Sequence, residues 1–403
     1  MSPESPEAVA GAPAPAARTS ADRGTVPSPP LLSALIEKNK VIVCCGAGGV
    51  GKTTTAASLA LGAARLGRRV LVLTIDPSRR LAETLGVSRN PPEPVALPAD
   101  RQLAAGIKSP GSLDAWMLDA KLVADEAVLR FAGSPERAKP ILANRVYQQA
   151  TTMLAGLHEY AAMKALHKFI TEGHYDLVVL DTPPSRNALD FLDAPKRLAG
   201  FLDGAIFRMF LPSKGGLISR AGSRLIARIL GLVFGEEFAT ELSAFFESFS
   251  ELFASLNSDL NDVRERLTRS DAAFLMVTTP SDAAITEAHF FHDRILQLGL
   301  PFRGFVLNRS QAAASNKVFP DVAHLPADAS PALRSGLEKL KWLARGEHLQ
   351  AARDRGLLAD LALRGGKEAF AIALPDLPAG ADDIATLTTI ADLIVAERRS
   401  GPR

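Results

Sequence analysis

Short apolar runs rich in Val, Leu and Ile recur along the chain and alternate with longer stretches in which apolar residues return every three or four positions. The first pattern predicts buried strands, and the second predicts amphipathic helices. Strands that alternate with helices are typical of a parallel sheet covered by helices on both faces. We therefore predict an α/β fold with a doubly wound parallel sheet of about seven strands. The predicted strands cover residues 41–45, 70–75, 103–108, 176–180, 273–279, 304–308 and 369–374.

Two connections between these strands are much longer than the crossovers of such sheets. They cover about residues 110–172 and 184–271. Because loops longer than about 15 residues without secondary structure are uncommon in compact domains, we predict that both are helical insertions. Residues 1–30 contain seven prolines, seven alanines and no Leu, Ile or Phe, so they are predicted to form a disordered tail. The rest of the chain, residues 31–403, is predicted to be one domain with these two insertions.

Charge balance and cysteine content exclude several classes of protein. Lys and Arg number 46 against 44 Asp and Glu, which is too balanced for a protein that binds nucleic acid by neutralising phosphates. The two cysteines, Cys44 and Cys45, are adjacent, which excludes a disulfide framework and a C-x-x-C motif and fits a reducing compartment. No uncharged apolar run approaches the ~18 residues of a membrane span, and the N-terminus lacks the apolar core of a signal peptide. We expect a cytoplasmic protein with no nucleic-acid partner.

The most specific motif is GAGGVGKT at residues 46–53, which matches the phosphate-loop pattern G-x-x-x-x-G-K-[ST]. A predicted strand precedes it and a predicted helix follows. Its glycines allow backbone N–H groups and the helix N-terminus to face phosphate oxygens. Lys52 is predicted to contact the β and γ phosphates of the nucleotide, and the Thr53 hydroxyl is predicted to bind Mg²⁺. The predicted nucleotide-binding residues of this segment are Gly48, Gly49, Val50, Gly51, Lys52, Thr53 and Thr54.

Two aspartates follow predicted strands where a nucleotide hydrolase needs acidic side chains. Asp181 ends the run DLVVLD, and Asp76 ends VLVLTID. A carboxylate at the tip of a buried strand beside a phosphate loop is the Walker B position, so Asp181 is predicted to be the second protein ligand of Mg²⁺. Either aspartate alone could instead be a helix N-cap, a role that Asp fills well.

Together these segments resemble the ArsA family, which includes the arsenite-pump ATPase, the ATPase that targets tail-anchored membrane proteins and bacterial relatives. The resemblance covers about residues 38–396. The first switch of that family contains a D-P motif, matched here at Asp76, and its aspartate orients the attacking water. A D-T-x-P motif begins the second switch and is matched here at Asp181. The segments GFVLNR and IALPDLP match the family's adenine-binding strands, which implies that Asn308 reads adenine and that Pro375 lies beside the base.

The resemblance implies an ATP- and Mg²⁺-dependent ATPase in which Lys52 and Asp76 are catalytic. It also implies a homodimer, or a heterodimer with a paralogous ATPase, whose arrangement changes with nucleotide state. One position departs from the pattern, because the family usually has a lysine at the second loop position that reaches the other subunit's nucleotide, and this chain has Ala47. A cation supplied in trans is worth about 10³ to 10⁵ in rate. Another group must replace it, or hydrolysis is slow; Arg79 and Arg80 are the local alternatives.

Phenylalanine is concentrated in the second predicted insertion. Residues 201–253 contain nine of the 19 phenylalanines, and Phe and Leu recur at three- and four-residue steps over residues 238–256. This spacing predicts a wide apolar stripe on a helix. Residues 196–228 carry seven basic side chains and one acidic, whereas residues 236–262 carry seven acidic and none basic. Two interpretations stay open: the stripe packs against the preceding helix with opposite charges facing, or it forms a groove for an apolar helix of a client protein.

Three functions compete at this point. The phenylalanine-rich insertion favours an ATPase that handles hydrophobic protein segments, as a chaperone or targeting factor. An energising subunit of an anion or metalloid transporter is the first alternative. Soft As(III) needs thiolate ligands, however, and Cys44 and Cys45 are neighbours in a predicted strand, so their side chains point to opposite faces. A nucleotide-dependent membrane-surface switch of the MinD type is the second, and it would make the protein peripheral at the membrane. Such a switch requires a basic amphipathic C-terminal helix, which residues 384–403 do not resemble.

Overall fold

The computed structural model describes residues 32–75, 81, 85–87, 93–144, 147–148, 157–183, 262–313, 325–326, 328–377 and 384–396. The strands are β1 (Val41–Cys45), β2 (Arg69–Thr74), β3 (Val95–Ala96), β4 (Ser112–Met117), β5 (Leu177–Asp181), β6 (Ala272–Thr278), β7 (Phe302–Ser310) and β8 (Phe370–Pro375). The helices are α1 (Leu32–Lys38), α2 (Lys52–Arg65), α3 (Ala99–Ala104), α4 (Ala120–Ala132), α5 (Pro135–Ala143), α6 (Leu157–Glu172), α7 (Asp282–Gln297), α8 (Pro331–Gly365) and α9 (Ile384–Ala396).

One sheet contains all the described strands, in the order β3-β4-β2-β5-β1-β6-β7-β8. Every neighbouring pair is parallel except β3 with β4. The predicted α/β class with a doubly wound parallel sheet is therefore confirmed. The strand β1 is central: β5, β2, β4 and β3 lie on one side of it, and β6, β7 and β8 lie on the other. In such sheets, ligands bind beyond the carboxyl ends of the strands at the position where the winding reverses.

Helices cover both faces of the sheet. One apolar cluster packs α1, α2 and α9 on the face that carries Ile42 and Cys44. The other packs α4, α5, α6, α7 and α8 on the face that carries Val43 and Cys45. All residues of β1, β5 and β6 are buried because they are enclosed from both sides. These strands are continuously apolar in sequence because helices cover both faces of the sheet.

The predicted strand at residues 103–108 is wrong. Helix α3 ends at Ala104, and Gly106 has a φ of 76°, which turns the chain, while Leu103 is 76% exposed. The strand of this region is β4, which begins at Ser112 and pairs with β2. The segment 110–172, predicted to be helical throughout, therefore begins with a strand and continues with α4, α5 and α6.

Several predictions concern residues outside the described part of the chain. The N-terminal tail, the phenylalanine-rich stripe, Asp76, Arg79 and Arg80 are among them. The structure describes only the C-terminal end of the second long connection, residues 184–271. There, residues 262–267 are helical and precede β6. No helix in the described ranges has both the length and the apolar content that crossing a bilayer requires.

Helices α7 and α8 run side by side on one face. Two ion pairs join them at the same offset of 71 residues: Arg353 lies 2.7 Å from Asp282, and Arg364 lies 2.7 Å from Asp293. The equal offsets show that the helices run parallel, as crossover helices of neighbouring parallel strands do. Helix α8 has 35 residues and contacts β7 and β8.

Candidate nucleotide site

A glycine-rich loop, residues 46–51, connects the central strand β1 to α2. Gly46 has a φ of 151°, and a Cβ atom there would lie 2.2 Å from the Val277 carbonyl oxygen of β6. Gly51 has a φ of 90°, in the left-handed region. Side chains at these two positions would collide with neighbours or strain the backbone, so the loop needs glycine to follow this path. It leads directly into the N-terminus of a 14-residue helix, whose first N–H groups have no partners within the helix.

Lys52 is the first residue of α2, and only 5% of it is exposed. Its ammonium donates a hydrogen bond of 2.7 Å to the Ala47 carbonyl oxygen, across the loop. The positive charge therefore lies beside the loop's backbone, near the helix N-terminus, which is where an anion is stabilised most. The predicted loop residues Gly48, Gly49, Val50, Gly51, Lys52, Thr53 and Thr54 all fall in this loop or in the first turn of α2.

Asp181, the last residue of β5, is fully buried and lies beside the loop. Its Oδ2 atom accepts hydrogen bonds from the Thr53 hydroxyl at 2.7 Å and from the Thr74 hydroxyl at 3.0 Å. Sheet register produces this contact, because Asp181 pairs with Cys44 of β1 on one side and with Thr74 of β2 on the other. The two residues predicted to bind a metal, Thr53 and Asp181, are thus in direct contact.

Thr74 is a member of the site that the sequence did not indicate. It is the last residue of β2, only 1% exposed, and its hydroxyl donates to the same Asp181 carboxylate oxygen as the Thr53 hydroxyl. Its signal in the sequence is a single polar residue after the apolar run VLVL, which alone does not predict a partner. Asp76 follows Ile75, whose N–H donates to the Asp181 carbonyl oxygen at 3.2 Å, and Asp76 itself lies outside the described residues.

Asn308 and Pro375 lie near the carboxyl ends of β7 and β8, on the same edge of the sheet as the loop. Asn308 is 7% exposed, and its amide nitrogen donates to the Val50 carbonyl oxygen at 2.8 Å. The asparagine predicted to read adenine therefore contacts the phosphate loop itself. Pro375 ends β8 opposite Ser310 and is half-buried. The roles of Asn308 and Pro375 toward a base stay predictions.

The two cysteines lie directly before the loop and are fully buried. Burial raises the pKa of Cys44 well above its ordinary value, and burial raises the pKa of Cys45 to about 12 although the Lys52 charge lowers it. The Thr182 hydroxyl donates to the Cys44 carbonyl oxygen at 2.8 Å, which links the segment after β5 to β1. Both thiols are protonated at neutral pH, so they are poor ligands for a soft metalloid.

Oxygen atoms suited to Mg²⁺ are present at the loop. The Thr53 hydroxyl and the Asp181 carboxylate are hard donors, and Mg²⁺ is typically bound by one or two protein oxygens together with phosphates. Within the described ranges, no group of three or more His, Cys, Asp and Glu side chains could hold a metal ion without such help. The residues fit a metal that arrives with a nucleotide.

Comparison with known proteins identifies a sequence family and several relatives. The sequence model of the anion-transporting ATPase family matches residues 39–321. An uncharacterised protein of Streptomyces coelicolor is 36% identical over 160 residues, which are 40% of this chain and 38% of that protein. A putative arsenical pump-driving ATPase of Aquifex aeolicus is 27% identical over 163 residues, which are 39% of this chain and 38% of that protein. ATPase GET3 of Malassezia globosa is 27% identical over 199 residues, which are 47% of this chain and 55% of that protein. The matched part of the chain thus spans between 38% and 55% of these relatives' lengths.

Proposed function

The chain belongs to the anion-transporting ATPase (ArsA) family, and we propose that it is a Mg²⁺-dependent ATPase whose site is the loop between β1 and α2. The observation that carries this proposal is the 2.7 Å contact between the Thr53 hydroxyl and the Asp181 carboxylate, beside the buried Lys52. A hydroxyl on the first turn of the helix and a carboxylate at the tip of a neighbouring strand are the two protein groups that hold the metal in phosphate-loop hydrolases.

Each group of the site has a role in this proposal. The loop N–H groups and Lys52 bind the β and γ phosphates, and Thr53 and Asp181 hold Mg²⁺. When bound, Mg²⁺ would neutralise charge that develops on the phosphate oxygens. Thr74 keeps the Asp181 carboxylate in place by its 3.0 Å hydrogen bond. Asp76 orients the attacking water, as the family resemblance implies.

The base is bound at the ends of β7 and β8 in this proposal. Asn308 reads adenine and Pro375 lies beside it, which the position of both residues at the loop's edge of the sheet supports. The Asn308 side chain keeps its carbonyl oxygen available to the exocyclic amine of adenine while its amide nitrogen donates to Val50.

We further propose that the chain works as a dimer and handles hydrophobic protein segments. The family resemblance and the phenylalanine-rich sequence over residues 201–253 support this assignment over metalloid transport. A thiolate-bound metalloid would need accessible cysteines, and both cysteines of the chain are buried and protonated.

Turnover of an Asp181→Asn variant tests the ATPase proposal. The substitution removes the carboxylate charge, so phosphate release from ATP should fall at least about 100-fold, the upper end of losses seen for groups around a metal ligand. Asp176→Asn is the matched control, because Asp176 precedes β5 at the opposite end and forms an exposed ion pair with Arg69 at 2.8 Å. The control should retain wild-type turnover. Equal turnover in both variants would contradict the assignment of Asp181.

A further inference from the structure

The turn that follows Asn308 is held by a buried carboxylate on α8. Asp354 is fully buried, and its Oδ2 atom accepts hydrogen bonds from the Ser310 hydroxyl at 3.1 Å and from the Gln311 N–H at 2.7 Å. The Ser310 hydroxyl also accepts from the Ala312 N–H at 3.1 Å. Burying a carboxylate is costly unless its hydrogen bonds compensate, so this cluster fixes the turn strongly.

Between this cluster and Asn308 lies one residue in an unfavourable backbone conformation. Arg309 has a φ of 53°, in the left-handed region, and its side chain is exposed. A non-glycine residue keeps such a conformation only where its surroundings impose it. The two residues that follow Arg309 are the ones that donate hydrogen bonds to Asp354.

On the other side of this turn, Asn308 contacts the phosphate loop at its tightest point. Its amide nitrogen donates to the Val50 carbonyl oxygen at 2.8 Å and occupies the space beside Gly51, where an added Cβ atom would lie 2.1 Å from it. Gly51 immediately precedes Lys52 and the first turn of α2. A displacement of Asn308 would therefore release the loop next to the residues that bind phosphate.

We propose that Asp354 is a positioning residue for nucleotide binding: it pins the turn after β7 so that Asn308 braces the phosphate loop through Val50. The inference rests on the proposed nucleotide site but does not depend on adenine recognition. It assigns Asn308 a contact with the loop that strengthens binding of the phosphates themselves. It also connects α8, a helix that contacts no nucleotide in this proposal, to the affinity of the site.

Two ligands separate bracing from base recognition. In calorimetric titrations, Asp354→Ala should weaken binding of ATP and of tripolyphosphate about three- to tenfold each, the effect of one lost hydrogen bond. Asn308→Ala should weaken both as well, and the double variant should bind no worse than Asn308→Ala alone, because Asp354 acts through Asn308. Losses that add in the double variant, or tripolyphosphate affinity that Asn308→Ala leaves unchanged, would overturn the proposal.

Two further variants control for stability. Asp354→Asn keeps an oxygen that can accept hydrogen bonds from Ser310 and Gln311. Its NH₂ group replaces the other carboxylate oxygen, Oδ1, which has no hydrogen-bond partner within the described residues. It should bind both ligands within about threefold of wild type. Arg353→Ala removes the neighbouring ion pair of α8 with Asp282 and should leave both affinities unchanged. Weakened binding in Arg353→Ala equal to that in Asp354→Ala would mean that general loosening of α8 is the cause.

Hydrogen exchange of the nucleotide-free protein tests the brace without any ligand. Amides of residues 46–53 should exchange at least about threefold faster in Asp354→Ala than in wild type or Arg353→Ala. If Asp354→Ala exchanges faster but wild type binds no ATP, the role of Asp354 in holding the loop is supported and the proposed function is contradicted. If wild type binds ATP normally and Asp354→Ala has unchanged exchange and affinity, the role of Asp354 is contradicted and the proposed function is not.

Discussion

Asp181 is the residue on which the proposed chemistry depends most. Its carboxylate is fully buried, and two threonine hydroxyls, from Thr53 and Thr74, donate to the same oxygen atom. Neither hydroxyl carries a positive charge, so these two hydrogen bonds do not neutralise the carboxylate that is proposed to bind Mg²⁺.

Asp76 should separate binding from turnover. Asp76→Asn removes the group proposed to orient water but no phosphate contact, so ATP affinity should stay near wild type while turnover falls about 10²- to 10⁴-fold. Calorimetry and phosphate release on the same preparation measure the two effects. Wild-type turnover in this variant would show that the role assigned to Asp76 is wrong.

The sequence predicted the loop, Lys52, Thr53 and Asp181 because short motifs and strand ends specify them. It did not predict the contact of Asn308 with Val50, which joins residues 258 positions apart. Nor did it indicate Thr74 or Asp354, whose roles depend on register and on helix placement. Such contacts between distant segments leave no periodic signal in a single sequence.

At the scale of elements, the strand β4 shows why one prediction failed. Its sequence, SLDAWM, contains an aspartate, which strands usually avoid. The structure satisfies Asp114 with a hydrogen bond of 2.7 Å from the Tyr175 hydroxyl, 61 residues later. The strands β1, β5 and β6 were predictable because burial on both faces makes them continuously apolar.

Helix α7 packs on β7 partly through a buried imidazole. His292 is 4% exposed, and its ring centroid lies 4.6 Å from that of Phe302 and 5.4 Å from that of Phe305. Burial lowers the pKa of His292 below its ordinary value; the neighbouring Asp293 raises it, and Arg364 lowers it. Burial also lowers the pKa of the half-buried His289 on the same helix.

These shifts make stability depend on pH in a definite direction. Because the folded-state pKa is depressed, the unfolded chain takes up protons first as pH falls through about 6.5, and the folded state loses stability. The melting temperature should therefore drop between pH 7.5 and pH 5.5. His292→Gln, which does not titrate, should reduce that drop, and adding His289→Gln should reduce it further. An identical drop in the double variant would assign the acid sensitivity to other groups.

At the scale of the whole molecule, the uncharged second position of the loop bears on assembly. Ala47 is 8% exposed, and its carbonyl oxygen accepts the Lys52 hydrogen bond. The side chain at this position offers no cation to a partner subunit. We therefore expect slow hydrolysis by the chain alone and stimulation by a paralogous subunit that has a lysine there, since a cation supplied in trans is worth about 10³ to 10⁵ in rate.

Steady-state turnover of the purified chain, alone and with a paralogue encoded in the same genome, measures this effect. Alanine at both Arg79 and Arg80 tests the local alternative. If the chain alone hydrolyses ATP rapidly and still does so with both substitutions, neither a partner's lysine nor the two arginines supply the missing cation.

Thr53 and Asp181 are proposed to bind the Mg²⁺ of a Mg²⁺–ATP complex. Calorimetric titration of ATP in Mg²⁺ and in EDTA tests this role. Wild type should bind ATP at least about tenfold more tightly with Mg²⁺, because both protein oxygens then contribute to binding. Asp181→Asn should lose most of that difference while retaining the affinity measured in EDTA. Absence of ATP binding by wild type, or an equal effect of Mg²⁺ in wild type and Asp181→Asn, would contradict the claim.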